Sequence, residues 1–240
     1  AEGFVYQGEI SLQTGKSRGV ECREQPPQFF VDFIQNHDQV GNRAQGERLI
    51  SLAGADKTRV LFAALLLSPH IPLLFMGEEF GETHPFLFFT DFHGELAKAV
   101  REGRAKEFSG HAGHDETVPD PNDVNTFISS KLDWNKIATD EGKTWLRYTR
   151  HLLTLRHRYI VPLLHPGGAV EGHVLKTAPG MVAVSWRFPS GTLSLALNIG
   201  TKPVDLPALA GETRFAWPEV NDVLPPNGIV VRFADGEASL

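Results

Sequence analysis

Two short apolar runs, each followed at once by polar and ionisable side chains, dominate the first third of the chain. Residues 29–34 are followed by the polar cluster 35–38, and residues 71–76 are followed by 77–79. Apolar runs of about six residues predict strands buried on both faces, as in parallel sheets. Both strands therefore deliver polar side chains at their carboxyl ends, which is where α/β sheets and barrels place their ligands.

The segment between the two runs predicts a helix. Residues 58–67 are apolar almost all round, Asp56 is a candidate helix cap, and Pro69 ends the pattern. Strand, helix and strand make a βαβ unit, which implies parallel strands whose carboxyl ends lie on the same side. Before this unit, residues 8–19 are rich in Gly, Ser, Thr and Lys and predict a loop.

Two further helices and one irregular stretch follow. Residues 95–108 and 140–159 carry apolar side chains at helical spacing. Residues from about 109 to 140 lack such periodicity. We therefore expect 109–140 to form an irregular excursion from the scaffold.

From residue 166 the pattern changes to short apolar or alternating segments divided by Gly and Pro turns. Such segments predict antiparallel strands. We therefore expect two domains, an α/β part at 1–165 and a small antiparallel β domain at 166–240. The predicted strands of the second domain are 170–176, 181–188, 192–199, 215–217 and 229–233.

Composition and charge exclude several classes of protein. The net charge of −6 argues against binding to a polyanion such as nucleic acid, which needs a concentrated Lys and Arg surface. No apolar run approaches the roughly 20 residues that span a bilayer, so we expect no membrane partner. The single cysteine, Cys22, cannot form an internal disulfide, which favours a cytoplasmic setting.

The sharpest candidate site is the cluster Asn36, His37 and Asp38. A carboxylate beside an imidazole at a strand end can bind the vicinal hydroxyls of a sugar. The competing interpretation is a loop in which Asp38 accepts backbone N–H bonds and the other two side chains cap a turn. A metal site is a weaker hypothesis because no spacing of His, Cys or acidic residues completes a ligand set.

Glu78 and Glu79 follow the second strand. A strand sends adjacent side chains to opposite faces, so at most one of these carboxylates is expected to point at the crevice, while the other is a structural hydrogen-bond acceptor. The aromatic cluster near Phe89 could stack against sugar rings or belong to the core, and Asp91 beside it has the same two interpretations.

Several of these segments resemble the α-amylase family of glycoside hydrolases. Residues 30–38 are similar to the last of that family's short signature regions, and residues 71–79 look like its eighth barrel strand with the turn that follows. The longer stretches 35–44, 76–92 and 130–134 look most like family members that act on α-glucans ending in trehalose. The resemblance covers most of the chain that precedes the predicted β domain.

The resemblance implies the last part of a (β/α)8 TIM barrel followed by a small all-β C-terminal domain, in an enzyme that retains anomeric configuration. It makes Asp38 the third catalytic acid, a transition-state stabiliser that binds hydroxyls at the cleavage point, with His37 bonding to the same ring. It implies a maltooligosyltrehalose substrate and no cofactor. The other expected substrate-binding residues are Asn36, Gln39, Arg43, Glu79, Phe89 and Asp91.

The family carries its nucleophile and its general acid on the fourth and fifth barrel strands, before the region that this chain resembles. We therefore expect the chain to be inactive alone and to pack against the N-terminal remainder of the same polypeptide. Two alternatives stay open. The chain could belong to another family member, such as a branching enzyme or an amylase, or it could be a non-catalytic carbohydrate-binding module.

Overall fold

The computed structural model describes residues 6–22, 25–108, 118–164 and 170–236. The described chain opens with a hairpin of strands β1 (Gln7–Ile10) and β2 (Ser17–Gly19), which pair antiparallel. The prediction of a loop over residues 8–19 was therefore wrong at both ends. The polar composition is that of an exposed hairpin, whose strands show little apolar periodicity because most of their side chains face solvent.

The two apolar runs form the parallel strand pair that their pattern predicts. Strand β3 (Val31–Asp32) lies beside β4 (Ile71–Pro72), and the amide of Leu73 donates to the Asp32 carbonyl at 2.8 Å. Each strand is only two residues long, where about six were expected. A short 3-10 turn at Pro27–Phe29 takes up the first residue of the first run, and residues 33–34 follow the strand without regular structure. Ladder hydrogen bonds form along one edge only, because the pair has no third strand among the described residues.

One face of this pair carries exposed apolar side chains. Val31 is 57% exposed, and its register partner Ile71 and the following Leu73 are 38% and 46% exposed. Burial on both faces was expected, and in the described residues that expectation was wrong. The physical reason is that no further described strand or helix covers this side of the pair.

The predicted helices are present, with four short additions in the described part of the chain. The predicted helix at 58–67 starts earlier, and Asp56 lies in its first turn rather than at its cap. A π-helical turn at Arg156–Ile160 continues the long helix near residue 150. No helix within the described ranges has the length and apolar character needed to cross a bilayer. The helices are α1 (His37–Gly41), α2 (Leu49–Ala53), α3 (Ala55–Leu67), α4 (Gly94–Phe108), α5 (Val124–Ser129), α6 (Asp140–Leu155) and α7 (Val161–Leu164).

Part of the stretch expected to be irregular is ordered by aspartate caps. Residues 109–117 lie outside the described residues. Beyond them, the Asp123 carboxylate accepts from the Asn125 amide at 2.8 Å and starts α5. Asp133 likewise accepts from Asn135 at 3.0 Å at the start of a 3-10 turn, Trp134–Ala138. Caps of this kind stabilise helical turns that are too short to show periodicity.

The C-terminal part forms the predicted antiparallel sheet. Five strands pair in the order β5-β6-β7-β11-β9, and two short strands, β8 and β10, pair beside it. Gly180 turns the first hairpin at a φ of +76°, where a side chain would meet the backbone of Gly200. The strands are β5 (Glu171–Ala178), β6 (Met181–Phe188), β7 (Gly191–Asn198), β8 (Val204–Asp205), β9 (Glu212–Trp217), β10 (Val223–Leu224) and β11 (Gly228–Asp235).

The chain groups into two compact units. The first contains 1–32, 59–73 and 150–240, and the second contains 33–58 and 74–149. The boundary expected at 165/166 falls at residues 165–169, outside the described residues, and it stays a prediction. The apolar core within the β-sheet part of the first unit is formed by the buried side chains of Met181, Ala183, Ala196, Leu209, Leu224 and Val230.

Within the first unit, the buried guanidinium of Arg156 caps the carboxyl end of helix α3. It donates to the carbonyls of Leu66 at 2.9 Å, Ser68 at 2.6 Å and His70 at 2.7 Å. The last carbonyls of a helix have no partner within it, so a buried helix end needs such donors. The imidazole of His70 in turn lies 2.6 Å from the Asp32 carboxylate on β3. Arg156 therefore fixes the segment that leads from α3 into β4.

We expect Arg156→Met to lower the free energy of unfolding by about 3 kcal/mol, because three buried carbonyls lose their charged donor. Urea denaturation followed by circular dichroism measures the change. Arg150→Met, at an exposed position of the same continuous helix, is the matched control and should shift stability by less than about 0.5 kcal/mol. Equal effects of the two substitutions would contradict the capping role.

Candidate functional site

Helix α1 follows β3 after the short connection 33–36 and carries the predicted His and Asp in its first turn. Asn36 is extended, and its side-chain oxygen accepts from the amide of Gln39 at 3.0 Å, so that it caps the helix. His37 and Asp38 are therefore the first two helical residues. Their side chains are 69% and 71% exposed, and the His37 Nε2 lies 3.4 Å from an Asp38 oxygen. A carboxylate in the first turn is stabilised by the unpaired helical N–H groups.

A buried amide joins this turn to the turn that follows β4. The side chain of Gln35, 5% exposed, donates to Glu78 Oε1 at 2.9 Å and accepts from the Leu49 amide at 2.8 Å. The second oxygen of Glu78 accepts from the Phe75 amide at 2.7 Å. The residues immediately before Asn36 are thus held to the start of α2 and to the turn after β4.

The two adjacent glutamates have different surroundings, but they lie in a short 3-10 turn, Glu78–Phe80, and not on a strand, so the expected alternation of strand faces is not the cause. Glu78 is the buried structural acceptor. Glu79 is half-buried, and its Oε2 accepts from the Gly77 amide at 3.0 Å within the same turn. The sequence left open which of the two residues would be structural, because adjacent positions after the predicted strand do not indicate which side chain is buried.

Burial raises the pKa of Glu78 to about 7, because the charged form loses hydration. The hydrogen bonds from Gln35 and from the Phe75 amide oppose this shift, as does the charge of Arg48. The nearby carboxylate of Glu79 adds to the rise. Desolvation dominates, so Glu78 is partly protonated at neutral pH.

Sequence reasoning missed Arg48, which organises the same turn. Its fully buried guanidinium donates to the His84 carbonyl at 2.6 Å and to the Met76 carbonyl at 2.8 Å, and it lies 4.8 Å from the centre of the Phe75 ring. Burial lowers the pKa of Arg48, while the charges of Glu82, Glu78 and Glu79 oppose that change. Arg48 lies in a stretch that has the composition of a polar loop, so no local signal marked it.

The predicted aromatic residue Phe89 belongs to a chain of edge-on ring contacts. Its ring centre lies 5.7 Å from that of Phe86 and 5.2 Å from that of Phe127. Phe86 contacts Phe75 in the same manner at 5.3 Å. Phe89 is still 36% exposed, and Asp91 nearby is exposed, so this segment is part core and part surface.

The structure therefore brings some of the predicted residues together. Asn36, His37, Asp38 and Gln39 share one helical turn, and Gln35 with Glu78 connects that turn to the second strand end. Arg43 follows α1 and forms a surface ion pair with Glu47 at 3.1 Å. Glu79, Phe89 and Asp91 belong to two other segments of the same unit. Within the described ranges, no three His, Cys, Asp or Glu side chains are grouped as a metal site would need.

Comparisons with solved structures identify the class of protein. A protein from Salmonella typhimurium, provisionally described as an alpha amylase, is 66% identical and superposes with a TM-score of 0.94 over 98% of this chain and 40% of its own. The isomaltulose synthase SmuA from Protaminobacter rubrum, 16% identical, shares the fold with a TM-score of 0.54 over 85% of this chain and 42% of its own. The chain is thus related to α-amylase-family enzymes, as the sequence motifs indicated.

Curated relatives define the relationship further. Malto-oligosyltrehalose trehalohydrolases from Deinococcus radiodurans and Brevibacterium helvolum are 44% and 35% identical over 166 and 224 residues. These alignments cover 68% and 92% of this chain but only 27% and 37% of the relatives. The chain is homologous to the C-terminal portion of these trehalohydrolases and spans about a third of their length. No protein-family model matches it.

The raised pKa of Glu78 makes stability depend on pH. The folded protein binds this proton more tightly than the unfolded chain, whose glutamate titrates near 4.5, so stability should fall as pH rises from about 4.5 to about 7. The shift corresponds to roughly 3 kcal/mol. In Glu78→Gln this part of the pH dependence should disappear.

Urea unfolding at pH 5 and pH 8 checks this expectation, with Glu95→Gln as the control at an exposed site on α4. The control should keep the wild-type pH dependence. If Glu78→Gln loses stability between the two pH values as steeply as the wild type does, a different group is responsible.

Proposed function

We propose that this chain is the last part of the (β/α)8 barrel and the C-terminal β domain of a retaining glycoside hydrolase. The complete enzyme cleaves the α-1,4 bond next to the trehalose end of a maltooligosyltrehalose and releases trehalose. One observation carries the proposal: a chain homologous to trehalohydrolases presents an exposed His37–Asp38 pair shortly after a parallel strand. A cytoplasmic setting fits the single cysteine, Cys22.

In this proposal Asp38 is the third acid of the active site. Its ionised carboxylate binds hydroxyls of the sugar at the cleavage point and stabilises the positive charge of the oxocarbenium-like transition state. His37, 3.4 Å away, bonds to the same ring, and the nucleophile and the general acid come from elsewhere in the enzyme.

The remaining predicted residues extend the sugar site around this pair. Gln39 and Arg43 lie on or just after α1 and reach outward from it, while Asn36 acts through its cap on the helix. Phe89, which is 36% exposed, supplies an aromatic ring for a sugar, since apolar C–H faces pack on aromatic rings. Glu79 and Asp91 supply further hydroxyl acceptors.

The partner of this chain is the N-terminal remainder of the same polypeptide. The exposed apolar face at Val31, Ile71 and Leu73 supports this part of the proposal, because strand edges and apolar faces of this kind are covered in native sheets. The next barrel strand would pair with the free edge of β3 or β4, and the other elements of the barrel would cover that face.

A second candidate is an amylase that acts on ordinary α-1,4-glucans. It is favoured by the description of the 66% identical Salmonella protein as an alpha amylase. The two candidates differ in the product, which is trehalose from maltooligosyltrehalose in the first case and maltooligosaccharides from starch in the second.

In the full-length polypeptide, Asp38→Asn should lower kcat for trehalose release by about 10²- to 10³-fold, because one charged transition-state contact is lost. Chromatographic measurement of released trehalose provides the rate. Asp140→Asn, a matched change at an exposed first-turn position of α6, should retain the wild-type rate. A full rate in Asp38→Asn would remove Asp38 from the active site.

The 240-residue chain by itself should release no measurable trehalose, because neither bond-making carboxylate is expected within it. The assay uses maltooligosyltrehalose and, in parallel, a maltooligosaccharide of equal length. Turnover that persists after removal of every co-purifying protein would overturn the proposal. In the full-length enzyme, preference for the unmodified maltooligosaccharide would favour the amylase alternative.

A further inference from the structure

Helix α1 is too short to be stable without tertiary support. It has five residues, and forming the first turn of an isolated helix costs more than its few hydrogen bonds return. At its start the Asn36 side chain supplies the cap, and Val40, 2% exposed, anchors the middle of the helix. The carbonyls at its end still need donors.

Arg104 supplies those donors from helix α4, far along the chain. Its Nη2 donates to the carbonyl of Gly41, the last residue of α1, at 2.7 Å, and to the carbonyl of Arg43 at 3.1 Å. A cation at this position also complements the negative end of the helix dipole. All three residues belong to the second unit.

The Arg104 side chain is itself held in one orientation. It is only 6% exposed, and its Nη1 donates to Glu107 at 2.9 Å. The guanidinium lies 5.1 Å from the ring centre of Phe88 and 4.6 Å from that of Phe108. A planar cation in contact with two rings and bonded through both terminal nitrogens has little freedom to move.

We propose that Arg104 is a positioning residue for His37 and Asp38. It does not contact the sugar, and it acts by fixing the carboxyl end of the helix whose first turn carries both side chains. The role in catalysis rests on the function proposed above, whereas the effect on α1 does not. Helix α4 begins about twenty residues after β4 in the chain. In this proposal it supports the sugar site.

The test replaces Arg104 with Met in the full-length polypeptide, which keeps an apolar stem between the two rings and removes every donor. Arg101→Met is the matched control, because Arg101 lies on the same helix, is half-exposed and pairs with Asp120 on the surface. Hydrogen exchange is measured at the amides of Val40 and Asn42, which donate to the carbonyls of Asn36 and Asp38 in the hydrogen-bond pattern of α1. Kinetics of trehalose release are measured on the same samples.

We expect Arg104→Met to speed exchange at both amides by about 10-fold or more and to lower kcat by roughly 10- to 100-fold, since small displacements of a binding group reduce catalysis strongly. Arg101→Met should change neither quantity. Arg104→Lys keeps the charge but replaces the rigid planar guanidinium with a single ammonium group, so an intermediate effect is expected. If Arg104→Met does not fold, the same two measurements are made on Arg104→Lys, with Arg101→Lys as its control.

Unchanged exchange at Val40 and Asn42 in the Arg104 variants would overturn the positioning role. Faster exchange that merely follows a lower global stability, measured by urea unfolding, would overturn it as well. If exchange rises as expected but Asp38→Asn and Arg104→Met both leave the rate of trehalose release intact, Arg104 supports α1 but positions no catalytic group, and the proposed roles of Asp38 and Arg104 in catalysis are wrong.

Discussion

The hydrogen bond between Gln35 and Glu78 is the constraint on which the candidate site depends. Both side chains are buried, and a buried carboxyl or amide must find partners or destabilise the fold. Their partners are the Phe75 and Leu49 amides, which belong to the turn after β4 and the start of α2. Satisfying one pair of side chains therefore fixes three backbone segments at once.

Buried arginines extend the same principle through the structure. Arg48 donates to carbonyls of the turn after β4, Arg104 to carbonyls at the end of α1, and Arg156 to carbonyls at the end of α3. Each guanidinium donates to backbone carbonyls at a helix end or in an irregular turn, where regular backbone hydrogen bonds are missing. In the second unit, the exposed His37 and Asp38 therefore lie on a short helix that is hydrogen-bonded at both of its ends.

In contrast to these buried arginines, the strand pair β3–β4 is partly exposed. Its ladder is short, and one of its faces exposes large apolar side chains such as Val31 and Leu73. The chain spans about a third of the length of its curated relatives, and the uncovered face lies on the two strands that precede the site. The same apolar pattern that predicted buried strands thus lies on a face that stays exposed among the described residues.

The sequence by itself determined the parallel strand pair, the long helices, the antiparallel β part and the family, because periodicity and the motif around His37 and Asp38 are local. Only the tertiary structure decided that Glu78 rather than Glu79 is buried. It alone revealed the role of Arg104, and it shortened the strands. These outcomes depend on partners 43 and 63 residues away along the chain, and local spacing carries no information about which distant backbone groups lack a donor or an acceptor.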